Sequence, residues 1–384
     1  MITGRECERM KKLKWNESSS PFNATFGTMP EVFLGREDIV NELIRNYFNR
    51  DGLYRASVMS GIRGIGKTTL MKDVSDELSK YERWIVVEAS LEENNDDVLV
   101  FIIEELIREA EKYKKSIIDN VSSISFSFLG LSIDFSREKE HSNLSKSTLI
   151  RIVDELNENN IGVLFTIDEV RITDGLRSFL SCYQLLMKKK YNVCLLLAGL
   201  PQNIDEILSD GSITFLRRAP KIFLGRLDIE LIKLAYKKSF DGHGVVLTNE
   251  QIDEISYATH GYPYLFQLIG YNLWEKDKDK FTSQEIELII LESKIKLFIN
   301  VHQKIFEETS SVDKLFLYAM SQDNKVSKIG DIKGRLNKSK ATINNYKNRL
   351  TKVGLIEQVS HGEYRFTLPY MKEFLENKIK EDEY

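Results

Sequence analysis

The stretch Ala56-Ser57-Val58-Met59-Ser60-Gly61-Ile62-Arg63-Gly64-Ile65-Gly66-Lys67-Thr68-Thr69 decides the fold of this chain. Ala56 to Ser60 reads as a short buried strand, and about Lys67 to Lys80 as a helix. Between them Gly61 to Thr68 matches G-x-x-x-x-G-K-[ST], in the strand–loop–helix context that motif requires. Glycines let successive backbone N–H groups curl around an anion. They do so at a helix N-terminus, whose dipole already favours negative charge. The residues expected to cradle phosphates are therefore Gly61, Ile62, Arg63, Gly64, Ile65, Gly66, Lys67, Thr68 and Thr69. Lys67 can reach the β- and γ-phosphates of a nucleotide, and the Thr68 hydroxyl can ligate Mg2+.

The partner motif lies about 100 residues on, where the apolar run from Val163 ends in Ile167-Asp168-Glu169. Asp168 is expected to hold the metal, through a water or the Thr68 hydroxyl, and Glu169 to orient or deprotonate the attacking water. The two motifs together imply a nucleotide triphosphatase. No Asn-Lys-x-Asp guanine-reading motif follows a strand, so the expected nucleotide is ATP, with Mg2+ as its metal.

The surrounding pattern agrees. Trp84 to Ala89, Gly162 to Ile167, Asn192 to Ala198 and Lys221 to Leu224 read as further strands, with helices at Asp97 to Tyr113 and about Asp174 to Lys189. Continuous apolar strands joined by helices predict an α/β fold, a parallel sheet with helices on both faces. One stretch breaks the alternation. Ile124, Phe126, Phe128, Leu131, Ile133 and Phe135 alternate with polar residues around Gly130, which predicts a β-hairpin inserted at about 121–136.

Beyond residue 225 the pattern turns helical. Thr248 with Gln251 and Thr282 with Glu285 are capping-box pairs, and Gly261-Tyr262-Pro263 starts another helix. From 311 it changes again, to helices at Val312 to Met320, Lys328 to Leu336 and Ser339 to Val353, then two short strands around His361-Gly362. That order predicts a winged helix-turn-helix. The expected organisation is an extended polar arm at 1–30, a phosphate-loop domain at 31–224, an all-helical lid at 225–310 and the winged helix at 311–384.

Bulk composition excludes several classes. The 384 residues suit two or three domains of about 150 residues, and 42% apolar with 29% charged residues is a globular balance. Three cysteines, Cys7, Cys182 and Cys194, are too few and too scattered for a disulfide framework or a Cys-x-x-Cys metal site. The longest apolar run, Val193 to Leu200, is less than half a membrane span. The N-terminal residues lack the apolar core of a signal peptide, so a cytoplasmic protein is expected. The five histidines are scattered, and no Ser-His-Asp or Cys-His set competes with the phosphate loop.

On these motifs the chain resembles the AAA+ ATPases, in the branch that holds the origin-recognition-like and STAND signalling ATPases. Phe33-Leu34-Gly35-Arg36-Glu37 resembles the box that holds adenine, which implies roles for Phe33, Leu34, Gly35 and Arg36. Gly261-Tyr262-Pro263 resembles the lid's GxP helix, which implies a nucleotide contact at Pro263. Ala198-Gly199-Leu200-Pro201 resembles the sequence after the fourth strand, and Phe22 to Phe33 the start of a group of bacterial members. Two departures bear on rate. The fourth strand ends Leu197-Ala198-Gly199 without the polar sensor, and Tyr262 to Trp274 contains no Arg or Lys to serve as the lid cation. The resemblance thus implies slow turnover, as in a switch rather than a motor. Arg217 and Arg218 fall where an arginine finger is carried, which implies a homo-oligomer if they act in trans. Paired arginines at a helix end also cap carbonyls or form surface ion pairs.

Net charge is −4, but Lys325 to Lys352 holds seven lysines and two arginines against one aspartate, +8, so the rest carries −12. On the third helix of that module Ile343, Tyr346, Leu350 and Val353 repeat at three and four and face inward. Lys340, Asn344, Asn345, Lys347 and Asn348 are left outward, with Lys338 at the helix start. Lysines meet phosphates and asparagines read adenine edges, so double-stranded DNA is the expected partner. The competing reading is a signalling or phage-defence ATPase whose lid and winged helix grip a protein. A stand-alone hydrolase would not need the two extra domains.

Overall fold

Strands that are apolar on both faces must be covered on both faces, and three such central strands pair with two partly exposed edge strands in a fully parallel sheet. They are β1 (Ala56–Ser60), β2 (Trp84–Ser90), β3 (Gly162–Asp168), β4 (Val193–Gly199) and β5 (Lys221–Phe223), in the order β2-β3-β4-β1-β5. Every residue of β1, β3 and β4 is buried. Ser60 stands opposite Gly199 and Ile167 opposite Leu197, so the C-terminal ends of β1, β4 and β3 stop close together. Residue order along the sheet therefore puts the ends of the two motif-bearing strands on either side of β4.

This computed structural model describes residues 20–25, 32, 35–91, 98–117 and 141–382. The expected hairpin at 121–136, the Phe33-Leu34 pair, Phe26 to Pro30 and Cys7 lie outside the described residues. The chain divides into two compact units, one of residues 37–61 and 67–224, the other of residues up to 36 with 62–66 and 225 onward.

In the sheet unit the described helices are α1 (Glu37–Phe48), α2 (Lys67–Ser79), α3 (Val98–Ile117), α4 (His141–Glu158), α5 (Asp174–Lys188) and α6 (Pro201–Ser209). Sequence reading leaves the α4 segment unassigned. It folds because Leu149, Ile152, Val153 and Leu156 form one helical stripe, and all four are buried in the sheet unit's core. Burial pushes the Cys182 thiol up to about 11 and Cys194 up to about 12, so both are inert packing residues.

In the other unit α7 (Ile229–Gly242), α8 (Asn249–Ala258), α9 (Pro263–Trp274) and α10 (Ser283–Leu297) follow one another. Both expected capping boxes form, Thr248 with Gln251 and Thr282 with Glu285, each with both reciprocal bonds. The described part of the N-terminal arm is docked here. Phe22 is buried among Tyr236, Phe240 and Phe266, and its ring lies so close to Gly270 that a Cβ there would stand 2.5 Å away. Gln267 clips the same segment, accepting from Asn23 N at 2.9 Å and donating to Val32 O at 2.7 Å.

A π-helical turn, Phe298–His302, joins α10 to α11 (Gln303–Glu308). Then come α12 (Ser311–Ser321), β6 (Ser327–Lys328), α13 (Ile329–Leu336), α14 (Lys340–Lys352), β7 (Ile356–Ser360), β8 (Glu363–Phe366) and α15 (Met371–Asp382). The three strands form an antiparallel sheet in the order β6-β8-β7. Two elements go beyond the sequence reading: β6, too short for any periodicity, and α15, which buries Met371, Phe374 and Leu375. Among the described residues no helix is long and apolar enough to cross a membrane.

His302 sits fully buried at the π turn, with Nδ1 3.2 Å from Leu297 O and Nε2 2.9 Å from Pro369 O. Burial pushes its pKa down to about 4, against the opposing pull of the two carbonyls. The folded chain therefore holds His302 neutral, where the unfolded chain titrates near about 6.5. Its contribution to stability is complete above about pH 6.5 and is lost as pH falls towards about 4. Thermal melts between pH 7 and pH 4 should show His302→Gln losing less Tm on acidification than wild type. Parallel profiles would remove His302 as the titrating group.

Candidate phosphate site and C-terminal basic face

The motif loop runs from the end of β1 to the start of α2. Gly64 and Gly66 take left-handed backbone, with φ of +70° and +94°, where a Cβ carries strain. Such alternation aims successive N–H groups into one concavity. Ile65 is buried and anchors the loop. Lys67 is only 5% exposed, and its Nζ donates to Gly61 O at 3.0 Å. Thr68 is exposed and Thr69 half-buried on the first turn of α2.

The second motif closes on the first. Thr68 Oγ1 donates to Asp168 Oδ2 at 2.5 Å, across 100 residues of sequence. The other oxygen, Oδ1, accepts from Glu169 N at 2.8 Å. Asp168 is 8% exposed, so its carboxylate is held in one place. A hydroxyl and a carboxylate side by side are the hard oxygen donors that Mg2+ takes. Glu169 is half-buried and has φ +51°, a left-handed conformation that costs a non-glycine residue about 1–3 kcal/mol. That turn ends β3 and sends Val170 N back to Ala198 O at 2.9 Å. Val170 also fills the space beyond β4, 2.9 Å from where a Gly199 Cβ would stand, so no polar side chain is presented from that strand end.

In the helical unit Gly35 is exposed, and Arg36 is buried and donates to Gly225 O at 2.6 Å. Burial lowers the Arg36 pKa. Pro263 is the first residue of α9, where its missing N–H costs nothing. Leu227 lies near both, donating to Gly261 O at 2.7 Å and sitting 3.8 Å from the place of a Gly35 Cβ.

The two arginines at the 3-10 turn Thr214–Arg218 differ. Arg217 spends its guanidinium on carbonyls at the end of α6, with Nε 3.2 Å from Leu208 O and longer bonds to Ser209 O and Asp210 O. Arg218 is exposed and has no ion pair among the described residues. Both residues are exposed, so the difference between them lies in the carbonyl bonds of Arg217.

On α14, Ile343 and Leu350 are buried, with Tyr346 and Val353 half-buried beside them. Lys338, Lys340, Asn345 and Asn348 are exposed, while Asn344 and Lys347 are half-buried. Lys347 Nζ lies 5.6 Å over the Tyr364 ring. Ser339 caps the helix, accepting from Thr342 N at 3.2 Å. The two arginines of the patch are exposed but paired within the chain: Arg349 bonds both oxygens of the buried Asp313, at 3.0 and 2.6 Å, and Arg335 both oxygens of Asp323, at 2.7 and 2.6 Å. These partners lie just outside the stretch, and their two negative charges lower its +8 to +6.

Sequence reading assigned no role to three groups that touch the loop. Tyr262 Oη donates to Arg63 O at 2.5 Å, Tyr264 N donates to Gly64 O at 3.2 Å, and Glu308 takes the Arg63 guanidinium at 3.2 Å. No local pattern signals a side chain that bonds a backbone carbonyl about 200 residues away.

The sheet order, the loop and the paired carboxylates define a P-loop NTPase fold. Solved structures share it along nearly the whole chain. The Walker-type ATPase PABY2304 of Pyrococcus abyssi superposes with a TM-score of 0.69 at 16% identity, covering 93% of this chain and 99% of that one. The ORC2 protein of Aeropyrum pernix, in ADPNP–ADP complexes, gives 0.63 at 16% identity over 94% and 97% of the two chains. Its ADP form gives 0.54 at 17% over the same shares. At such identities the likeness is one of fold. Residues 299–375 match a family described as a domain of unknown function (DUF8462). No curated protein matches the chain.

Proposed function

We propose that this protein binds ATP with Mg2+, hydrolyses it slowly, and uses nucleotide occupancy to control a C-terminal winged helix that binds duplex DNA. The observation that carries the nucleotide reading is the bond between Thr68 and Asp168, which joins the two motifs at the loop that holds Lys67. The ORC2 protein of like fold was solved with ADPNP and ADP, which supports the same ligand class here. When bound, Mg2+ would neutralise charge on the phosphates, held by Thr68 and Asp168. The chain's own residues do the rest: Lys67 meets the phosphates, the loop N–H groups orient them, and Glu169 positions water. Slow turnover follows from the apolar end of β4 and from an α9 without Arg or Lys. In this reading residues 31–224 are the ATPase domain, 225–310 the lid and 311–384 the winged helix. The protein works in the cytoplasm, and Arg218 is the finger offered to a neighbouring subunit.

DNA binding is carried by the exposed set Lys338, Lys340, Asn345 and Asn348 at the start and outer face of α14. Titration with duplex DNA at several salt concentrations should give log K falling by about 0.9 per decade for each phosphate contacted. Reversing Lys338, Lys340 and Lys347 to glutamate should abolish saturable binding. Arg349 is left out, because its reversal would strand the buried Asp313. Binding unchanged in the triple variant, with a flat salt slope, counts against DNA as the partner. A second reading, a STAND-like switch that grips a protein, is favoured by α10 and the π turn. They expose Leu288, Leu291, Ile295 and Ile299 on one face, at 58, 49, 48 and 61%. That reading predicts no saturable DNA binding and a co-purifying protein.

A further inference from the structure

Two consecutive carbonyls of the phosphate loop are tied to the first turn of α9, within the unit that contains both. Tyr262 holds Arg63 O through its hydroxyl, and the Tyr264 N–H holds Gly64 O. In a planar trans peptide the C=O and the following N–H point opposite ways. Holding the two carbonyls on the α9 side therefore turns the N–H groups of Gly64 and Ile65 away from α9. Ile65 N makes only a long turn contact, 3.4 Å, to Ile62 O. The loop is also shaped around the tyrosine: a Cβ on Gly64 would stand 2.2 Å from Tyr262 Oη. Tyr262 is fully buried and its burial raises the phenol pKa, so it stays a donor at any working pH.

We propose that Tyr262 is a positioning residue for the nucleotide's phosphate chain: its hydroxyl sets the peptide orientation of the loop at Arg63–Gly64, and with it the loop's affinity for polyphosphate. This rests on the reading of the loop as a nucleotide site. The obvious rival is a hydrogen bond that only stabilises the fold, and the molecule holds a matched control. Tyr236 is equally buried in the same unit and donates to Phe266 O at 2.7 Å, with no contact to the loop.

The test compares full-length wild type, Tyr262→Phe and Tyr236→Phe by calorimetric titration with Mg·ATP and Mg·ADP, alongside thermal melts. Both variants should lose comparable Tm. Tyr262→Phe should bind both nucleotides about tenfold more weakly, in line with one lost hydrogen bond, while Tyr236→Phe stays within twofold of wild type. Amide exchange across residues 61–67 should quicken only in Tyr262→Phe. If that variant does not fold, Gly64→Ala perturbs the same contact from the loop side and should weaken binding likewise. Wild-type affinity and exchange in folded Tyr262→Phe, or wild-type affinity in Gly64→Ala, overturn the inference alone. A wild-type chain that binds no nucleotide overturns the underlying reading as well.

Discussion

Lys67→Ala is expected to lose nucleotide binding altogether at ordinary concentrations. Lys67 is 5% exposed and its Nζ lies 3.0 Å from Gly61 O, so the side chain is already held along the loop before any ligand arrives. A triphosphate entering that loop brings several negative charges into a concavity in which Lys67 is the buried cation. Removing one partner of a buried, hydrogen-bonded charge pair costs about 2–5 kcal/mol, which is on the order of 30- to 4,000-fold in Kd. The helix should survive, since alanine is the best helix former and Lys67 opens α2 rather than packing its middle. Calorimetric titration with Mg·ATP, with far-ultraviolet circular dichroism as the folding check, reads the result. A folded variant that keeps normal affinity would refute the assignment of this loop.

Glu169→Gln is expected to separate binding from turnover. The residue follows Asp168 at the end of β3, where the backbone takes a left-handed turn. Glutamine keeps its size and its hydrogen-bonding reach, so the Thr68–Asp168 contact and the loop should be undisturbed. What disappears is the negative charge proposed to orient water and accept its proton. General base catalysis is worth about 10²–10⁴-fold, and hydrolysis should fall by that order while ATP affinity stays near wild type. Single-turnover phosphate release and nucleotide retention after gel filtration measure the two halves. Unchanged turnover would remove Glu169 from the mechanism and leave the backbone strain at that residue, about 1–3 kcal/mol, without a catalytic reason.

Much of this site was legible in the chain because its parts are local. A phosphate loop is eight consecutive residues with fixed backbone needs, and the Asp168-Glu169 end is announced by an apolar run that stops on two carboxylates. Capping boxes are legible for the same reason, since both bonds span three residues. The α4 helix carried its signal in Leu149, Ile152, Val153 and Leu156 but was missed among polar neighbours. The basic patch was overcounted, because the partners of its arginines are Asp313, 36 residues from Arg349, and Asp323, 12 residues from Arg335. Nothing in the order of residues marks those pairs.

Residue order alone determined the parallel sheet, the glycine-rich motif loop, the acidic pair behind it and the helical run that follows, since each follows from backbone conformation or from apolar periodicity within a short window. Three-dimensional packing alone decided that Thr68 bonds Asp168 directly, that Arg217 rather than Arg218 is spent on the carbonyls that end α6, and that Tyr262 holds the loop. Those outcomes depend on which atoms distant segments bring within about 3 Å, and a hydrogen bond is decided over that distance rather than along the chain.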